Sequence, residues 1–200
     1  MSKLLNVSSS PHVRCGVSTK NLMYDVAIAM LPATIWGVMQ FGIYSLIVVV
    51  ATVLSCVLSE YLFETLMHKP VTISDGSALV TGMILGLNMP PAIPLWMPIL
   101  GGVFAIIVVK QLYGGLGQNW MNPALAARCF MLISFAQAMT KFTDPVTDAV
   151  ASATPLAAIK AGDTYDLAAM FIGKIPGTIG EVSVIALLIG AAYLLVKKVI

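Results

Sequence analysis

Long apolar runs separated by short polar segments limit this chain's fold more than any other feature. A helix that crosses a bilayer needs about 20 mainly apolar residues. With 58% hydrophobic and 10% charged residues and a mean hydropathy of +0.92, the chain is too apolar for a soluble domain. We predict an all-α integral membrane protein with about six transmembrane segments: Leu22–Phe41, Ile43–Met67, Ser77–Pro90, Pro94–Val109, Pro123–Met139 and Val182–Val196.

The third segment is short, contains Gly82 and Gly86, and ends in Pro90-Pro91. Helices interrupted by Gly and Pro are typical of sites built inside membrane proteins, because irregular backbone is tolerated there only where protein or a cavity satisfies it. Close packing of helices through small residues is the other interpretation of these glycines.

Orientation depends on whether the third segment crosses. Residues 1–21 are polar and lack a cleavable signal, so we expect a cytoplasmic amino-terminal segment, followed by a transmembrane domain over 22–200. If all six segments cross, the positive charges expected inside are Lys3, Arg14, Lys20, Lys69, Lys110, Lys197 and Lys198. If the third segment instead enters and leaves the membrane on the same side, the number of positive charges on each side stays the same. Lys197-Lys198 directly follow a span, which favours six crossings and an outer loop over about 140–180.

Thr154 has the features of a helix N-cap. Pro155 suits the first helical position, and Gly162 suits a stop one short helix later. The unpaired N–H groups and the dipole of a helix N-terminus favour a phosphate. An ordinary capped surface helix is the alternative, since capping threonines are common.

The heptapeptide that ends at Thr154 is Asp-Ala-Val-Ala-Ser-Ala-Thr. It resembles the flavinylation signature of the Rnf and Na+-NQR respiratory complexes, Asp-x-x-Ser/Thr-Gly-Ala-Thr. Asp148, Ala153 and Thr154 match, whereas Ala151 and Ser152 replace the family's Ser/Thr and Gly. The resemblance implies FMN joined through its phosphate to Thr154 by a flavin transferase, with Asp148, Ser152 and Ala153 completing the motif.

Two longer stretches carry the same resemblance. They run from Lys69 to Pro91 and from Lys110 to Ala124, and they include Asn-Met-Pro-Pro and Gly-Gly-Leu-Gly-Gln-Asn-Trp-Met-Asn-Pro-Ala. They are similar to the third-helix and cytoplasmic-loop signatures of the RnfD/NqrB family. That family resembles an inverted repeat of five plus five helices, so we expect the carboxyl-terminal half of the fold to be missing here.

For function, the resemblance implies a membrane electron-transfer subunit of an Rnf-type complex. Such complexes couple electron transfer between ferredoxin and NAD to translocation of Na+ or H+. Implied partners are the other membrane and soluble subunits, a flavin transferase and the lipid bilayer. The implied location is the bacterial cytoplasmic membrane, with Thr154 on the outer face. A second, noncovalent flavin such as riboflavin is possible in the family, and no activity is expected from this chain alone.

Ionisable residues within apolar segments are costly and commonly functional. Asp25 lies in the first segment, and we consider either a cation-path or quinone-like role or a structural partner. Glu60 and Glu64, one helical turn apart, are expected near the interface with a structural role. Arg128 is interpreted as a counter-ion, for a carboxylate such as Glu64 or for a flavin phosphate on a partner.

Other kinds of site find little support. Cys15, Cys56 and Cys129 share no CxxC spacing, and His12 and His68 have no partner at metal-ligand spacing. There is neither a GxGxxG in a βαβ context nor a P-loop. We therefore expect no metal site, no catalytic residue and no nucleic-acid partner.

Two competing hypotheses remain. One is an NqrB-like subunit of a Na+-pumping NADH:quinone oxidoreductase, for which a quinone would be the partner. The other is a small-solute channel or transporter, because interrupted helices and inverted repeats recur in those proteins. Only the channel hypothesis requires a chain without covalent flavin.

Overall fold

The structure is a computed structural model and describes residues 18–143, 150–151, 159–160 and 167–199. Two long helices open it, α1 (Thr19–Phe41) and α2 (Ile43–Leu66). By length and composition, these two are the described helices that could each cross a membrane as a single helix. The Ser18 hydroxyl caps α1 by accepting from the Asn21 amide. Gly42 alone connects the two helices, and its φ of 80° suits the absence of a side chain.

The third segment is a broken helix packed closely on α2. After a 3-10 turn at Ile73–Asp75, α3 runs from Ser77 to Leu87, and the chain then continues without helix to Trp96. A Cβ on Gly82 would lie 2.6 Å from the Val53 Cα, and one on Gly86 would lie 3.0 Å from the Val49 Cα. These two glycines therefore let the backbones of α2 and α3 approach, as small residues do in membrane helices.

The fourth segment changes its winding part-way. It begins as α4 (Trp96–Val103) and continues as a π-helix over Phe104–Gln111. Bonds from the Leu112 amide to the Ile107 carbonyl and from the Gly115 amide to the Lys110 carbonyl have the five-residue spacing of this winding. Stretches of π-helix occur frequently at functional sites because they redirect side chains.

The rest of the described chain is made of shorter helices. Helix α5 (Pro123–Ser134) begins at the predicted residue, with Asn122 accepting from two amides as its cap. It is followed by α6 (Ala136–Met139), α7 (Leu167–Ile172) and α8 (Val184–Val196). A two-residue antiparallel pairing joins β1 (Phe142–Thr143) to β2 (Val150–Ala151), which was not predicted.

The apolar core lies between α2, α3, α4 and α5, and Leu85, Met89 and Met131 are completely buried in it. Two aromatic pairs join the fourth and fifth segments. Trp96 meets Phe135 edge to face, and Phe104 stacks on Phe130. Apolar side chains on the outer faces of α1, α2 and α8 stay exposed, as expected for helices that face lipid or further protein.

Contacts show at which end of the bundle each segment begins and finishes. We call the end at Thr19 the near end and the end at Phe41 the far end. Gly76, just before α3, lies against Tyr24 at the near end. The Tyr44 hydroxyl donates to the Ile93 carbonyl at the far end, at 2.9 Å. The third segment therefore runs from the near end to the far end and does not turn back.

The remaining passages alternate in the same way. The π-helix ends beside Glu60 and Glu64 near the carboxyl end of α2, α5 ends against Trp96, and Lys197 after α8 approaches Asp25 near the start of α1. Over the described residues the chain thus passes between the two ends six times. The segment that follows Lys110 and the described residues 141–143 lie at opposite ends.

Candidate functional site

A buried ion pair joins α2 to the end of the π-helix. The Lys110 Nζ lies 2.5 Å from the Glu60 Oε1, and their side chains are 2% and 0% exposed. The same ammonium donates to the Ser77 hydroxyl at 2.5 Å. Charges without solvent are retained only when they are paired and hydrogen-bonded.

A second layer of hydrogen bonds extends the pair towards the near end. The Gln111 side-chain amide donates to the Glu60 Oε1 at 2.8 Å and to the Glu64 Oε1 at 3.3 Å. Glu64 also accepts from the Thr72 amide at 2.9 Å and from its hydroxyl at 2.5 Å. We refer to the connected side chains as the acid–lysine cluster: Glu60, Glu64, Thr72, Ser77, Lys110 and Gln111.

Local structure explains how these side chains meet. Glu60 and Glu64 are four residues apart and therefore share one face of α2. Lys110 and Gln111 are the last two residues of the π-helix, and both side chains reach that face. Ser77 is the first residue of α3, where its amide and hydroxyl donate to the Asp75 Oδ1 at 2.8 and 2.6 Å. The cluster thus ties together three segments.

The cluster contains two carboxyl groups and one ammonium group. With both glutamates ionised, Lys110 offsets one of two negative charges. The Glu60 Oε2 is buried and has no hydrogen-bond partner among the described residues. A buried unpaired carboxylate oxygen in an apolar surrounding is a position for a proton, a cation or a water molecule. The cluster can therefore hold or exchange a positive charge.

Glu60 and Glu64 were expected near the interface in structural roles, and the structure adds that their side chains are enclosed by protein. Both are buried, at 0% and 2% exposed, because the π-helix and the turn before α3 cover their face of α2. Lys110 was treated as a loop charge, and it is instead almost completely buried. Its position directly after the apolar run at 103–109 was the signal that could have indicated a lysine inside the membrane domain.

Asp25 lies apart from the acid–lysine cluster. Its Oδ1 accepts from the Tyr193 hydroxyl at 2.9 Å and lies 3.9 Å from the Lys197 Nζ. Both partners are at the carboxyl end of α8. These contacts favour the structural interpretation, in which Asp25 joins the first and last described helices.

Arg128 is not a counter-ion of Glu64, so that interpretation was wrong. Its Nη1 donates to the Asn88 Oδ1 at 2.5 Å, just beyond the end of α3, whereas Glu64 is held by Thr72 and Gln111. The break in α3 explains the difference, since it exposes Asn88 towards the middle of α5.

The predicted flavin-attachment residues Asp148, Ser152, Ala153 and Thr154 lie outside the described residues, as does the predicted N-cap at Thr154. The described residues that flank them follow α6 at the far end of the bundle. The attachment therefore stays a prediction from the sequence.

The sequence profile of the NQR2, RnfD, RnfE family matches residues 6–200. The chain belongs to this family. The family is membrane-bound, and with its long apolar helices the chain is an all-α membrane protein, as predicted.

Relatives in the family carry names of redox complexes. The chain is 47% identical to the D-type subunit of the Na(+)-translocating ferredoxin:NAD(+) oxidoreductase complex of Acetobacterium woodii, over 98% of the chain and 64% of that protein. It is 41% identical to the D-type subunit of the proton-translocating ferredoxin:NAD(+) oxidoreductase complex of Clostridium ljungdahlii, with the same coverages. The D-type subunit of an ion-translocating oxidoreductase complex of Rhodobacter capsulatus is 31% identical over 96% of the chain.

The chain spans about two thirds of the length of these relatives, 64% for the first two. Both of those relatives are named as the same type of subunit, although one name specifies sodium and the other protons. The two relatives therefore share a type of subunit and differ in the ion that their names specify.

Proposed function

We propose that this chain is the RnfD-type part of a membrane complex that couples electron transfer between ferredoxin and NAD to translocation of Na+ or H+. The likeness to the D-type subunits of such complexes over 98% of the chain carries this proposal. Ferredoxin and nicotinamide would bind to soluble partner subunits, so this chain would act as an electron relay inside the membrane.

The relay would be FMN, attached covalently through its phosphate to the Thr154 hydroxyl by a flavin transferase. The sequence motif from Asp148 to Thr154 supports this assignment. The cofactor would supply the redox chemistry, and the chain would hold it within reach of redox centres in neighbouring subunits. With the amino terminus inside the cell, the flavin-bearing loop would lie on the outer face of the cytoplasmic membrane.

The contribution to ion transport would come from the acid–lysine cluster. Ionisable residues inside membrane segments are commonly parts of ion or proton paths. All members of the cluster except Thr72 are buried. The cluster carries an excess negative charge when both glutamates are ionised, and the Glu60 Oε2 has no hydrogen-bond partner among the described residues. Asp25 is a weaker candidate for this path, because Tyr193 and Lys197 both contact it.

Fluorescence of the denatured protein band on a gel tests the proposed cofactor. Covalent flavin survives denaturation, so the unaltered chain should fluoresce, and the Thr154→Ala variant should be dark while still inserting into the membrane. The substitution removes at most a helix cap, which costs about 0.5–2 kcal/mol. Mass spectrometry of the tryptic peptide identifies the modified residue.

Each outcome decides between hypotheses. Flavin recovered on Ser152 would show that the ester was assigned to the wrong residue. A dark band from the unaltered chain, expressed together with a flavin transferase, would contradict the flavoprotein assignment and favour the channel hypothesis. Quinone-dependent oxidation of NADH by the assembled complex would favour the NqrB-like alternative.

A further inference from the structure

Three lysines lie over aromatic rings at the near end of the bundle, each beside the end of a different helix. The pairs are Lys20 with Tyr24 at the start of α1, Lys69 with Phe63 at the end of α2, and Lys197 with Tyr193 at the end of α8. Their ammonium nitrogens lie 5.9, 5.1 and 5.8 Å from the ring centroids, within reach of the ring faces. All three lysines are exposed. We call these six side chains the lysine–ring rim.

The chain itself neutralises little of the rim's positive charge. Lys197 lies 3.9 Å from an Asp25 oxygen, yet its side chain is 52% exposed. Among the described residues, Lys20 and Lys69 have no carboxylate within ion-pair distance, although the Lys69 ammonium donates to the Gln111 carbonyl at 3.5 Å. Exposed ammonium groups with free N–H donors bind phosphate through charge-assisted hydrogen bonds. The rim therefore presents donors for an anion at one end of the bundle.

An exposed stripe on α1 continues from the rim towards the middle of the bundle. Its members follow one another at spacings of three or four residues and so share one face of the helix: Lys20, Tyr24, Ile28, Leu31 and Ile35. The three aliphatic members are 45%, 46% and 59% exposed. A lysine, then a tyrosine, then aliphatic side chains is the order of phosphate, interface and acyl chains in a bilayer. The stripe therefore matches one leaflet of a membrane.

Stabilisation of helix ends does not explain the whole rim. A cation near a helix carboxyl terminus complements the helix dipole, which accounts for Lys69 after α2 and Lys197 after α8. Lys20 is instead the second residue of α1, where the dipole repels a cation, and the first turn of α1 contains no acidic residue. The charge of Lys20 is thus at a position that the helix itself disfavours, which points to an anion outside the chain.

We propose that the near end binds anionic phospholipid, with lipid phosphates at the lysines of the rim and an acyl chain along the α1 stripe. The negative phosphodiester complements the unpaired ammonium groups, and the acyl chain covers the exposed aliphatic side chains. A zwitterionic lipid would lack the net charge, and a soluble phosphate would leave the stripe uncovered. This inference is independent of the proposed electron-transfer function.

Native mass spectrometry of the detergent-solubilised full chain measures the binding. The chain is titrated with dioleoyl phosphatidylglycerol or with dioleoyl phosphatidylcholine, and phosphatidylglycerol should bind more tightly. Lys20→Gln/Lys69→Gln should weaken the first phosphatidylglycerol bound by at least about fivefold, the effect of one lysine at an anionic surface. Lys20→Arg/Lys69→Arg, which keeps both charges, should bind like the unaltered chain. Ile28→Ser should also weaken binding, because it places a hydroxyl under the acyl chain.

Lys141→Gln/Lys174→Gln is the matched control. It removes the same charge from two exposed lysines at the far end, where Lys141 follows α6 and Gly173 lies against Trp36. This variant should keep the preference for phosphatidylglycerol.

Three results would overturn the inference. One is equal affinity of the unaltered chain for the two lipids, which would leave the stripe to a neighbouring protein subunit. Another is an equal loss in the near-end and far-end glutamine variants. The third is displacement of the lipid by an equal concentration of glycerol 3-phosphate, which would show a site for phosphate alone. If the near-end glutamine variant does not fold, single Lys20→Gln and Lys20→Arg at this exposed position make the same comparison.

Discussion

At the scale of single residues, Lys110 has the largest expected effect on stability. It neutralises Glu60 in a place without solvent, and removal of one partner of such a pair leaves an uncompensated charge. We expect Lys110→Met to destabilise the chain by about 3–5 kcal/mol. Thermal unfolding in detergent measures this. Lys174→Met, at an exposed position, is the control and should have little effect.

The double variant Lys110→Met/Glu60→Gln separates the ion pair from simple packing. It removes both charges, so it should recover a large part of the stability lost in Lys110→Met. If the two substitutions instead add as independent losses, the side chains are not energetically coupled.

Two acidic residues can be compared directly for ion transport. Glu60→Gln should reduce ion transport per assembled complex, because it removes a buried charge from the acid–lysine cluster. It should also lower the amount of assembled complex, since it leaves Lys110 without its partner, so transport is normalised to the assembled complex. Asp25→Asn should leave ion transport close to normal, since an amide oxygen can still accept from Tyr193. Uptake of radioactive sodium, or acidification of membrane vesicles, measures both variants. A loss in Asp25→Asn with normal Glu60→Gln would reverse the assignment of the path.

At the scale of secondary structure, the contact of α2 with α3 depends on glycine. A Cβ on Gly82 would meet the Val53 backbone at 2.6 Å, whereas one on Gly101 would meet the flexible Met131 side chain at 3.4 Å. We expect Gly82→Ala to lower the melting temperature in detergent, because the helices must separate. Gly101→Ala should be neutral or stabilising, since alanine favours a helix by roughly 0.5–1 kcal/mol. Equal melting temperatures would show that the helices adjust without cost.

The π-helix is the other element with a specific consequence. Its last two residues, Lys110 and Gln111, both reach the Glu60–Glu64 face of α2. A polar side chain at the end of a long apolar run would ordinarily be assigned to a loop. Because the helix continues with π winding, both residues stay in the segment that packs on α2. They therefore reach Glu60 and Glu64, which residues in a loop would not.

At the scale of the whole molecule, the six passages place the Leu116 loop and the end of α6 at opposite ends of the bundle. In a chain whose own cysteines are replaced by serine, a cysteine at Lys160 should react with a membrane-impermeant thiol reagent in intact cells. A cysteine at Leu116 should react only after permeabilisation. Its loop lies at the same end of the bundle as Lys20, Lys69 and Lys197, which the positive-inside rule assigns to the cytoplasm. Mass shift of the purified chain measures labelling. Labelling of Leu116 but not of Lys160 in intact cells would invert the proposed orientation.

The sequence by itself determined the helical membrane class and the positions of the apolar segments. Apolar length and the proline pair are local properties, so the predicted Pro123 start of α5 and the end of the third helix before Pro90-Pro91 agree with the structure. Gly82 and Gly86 do not interrupt α3 and instead pack on α2, as the alternative interpretation held. The flavin motif is also local, and its assignment to Thr154 depends on sequence alone. Family resemblance added the type of subunit, which neither composition nor periodicity could supply.

Only the tertiary structure decided which charges meet. Glu60 and Lys110 are fifty residues apart, and their pairing depends on the π winding and on how closely α3 and the fourth segment pack on α2. Arg128 bonds to Asn88 for a similar reason, because the break in α3 brings that amide to α5. Burial of a charge depends on which helices cover it, and hydrophobic periodicity along one helix carries no information about its neighbours.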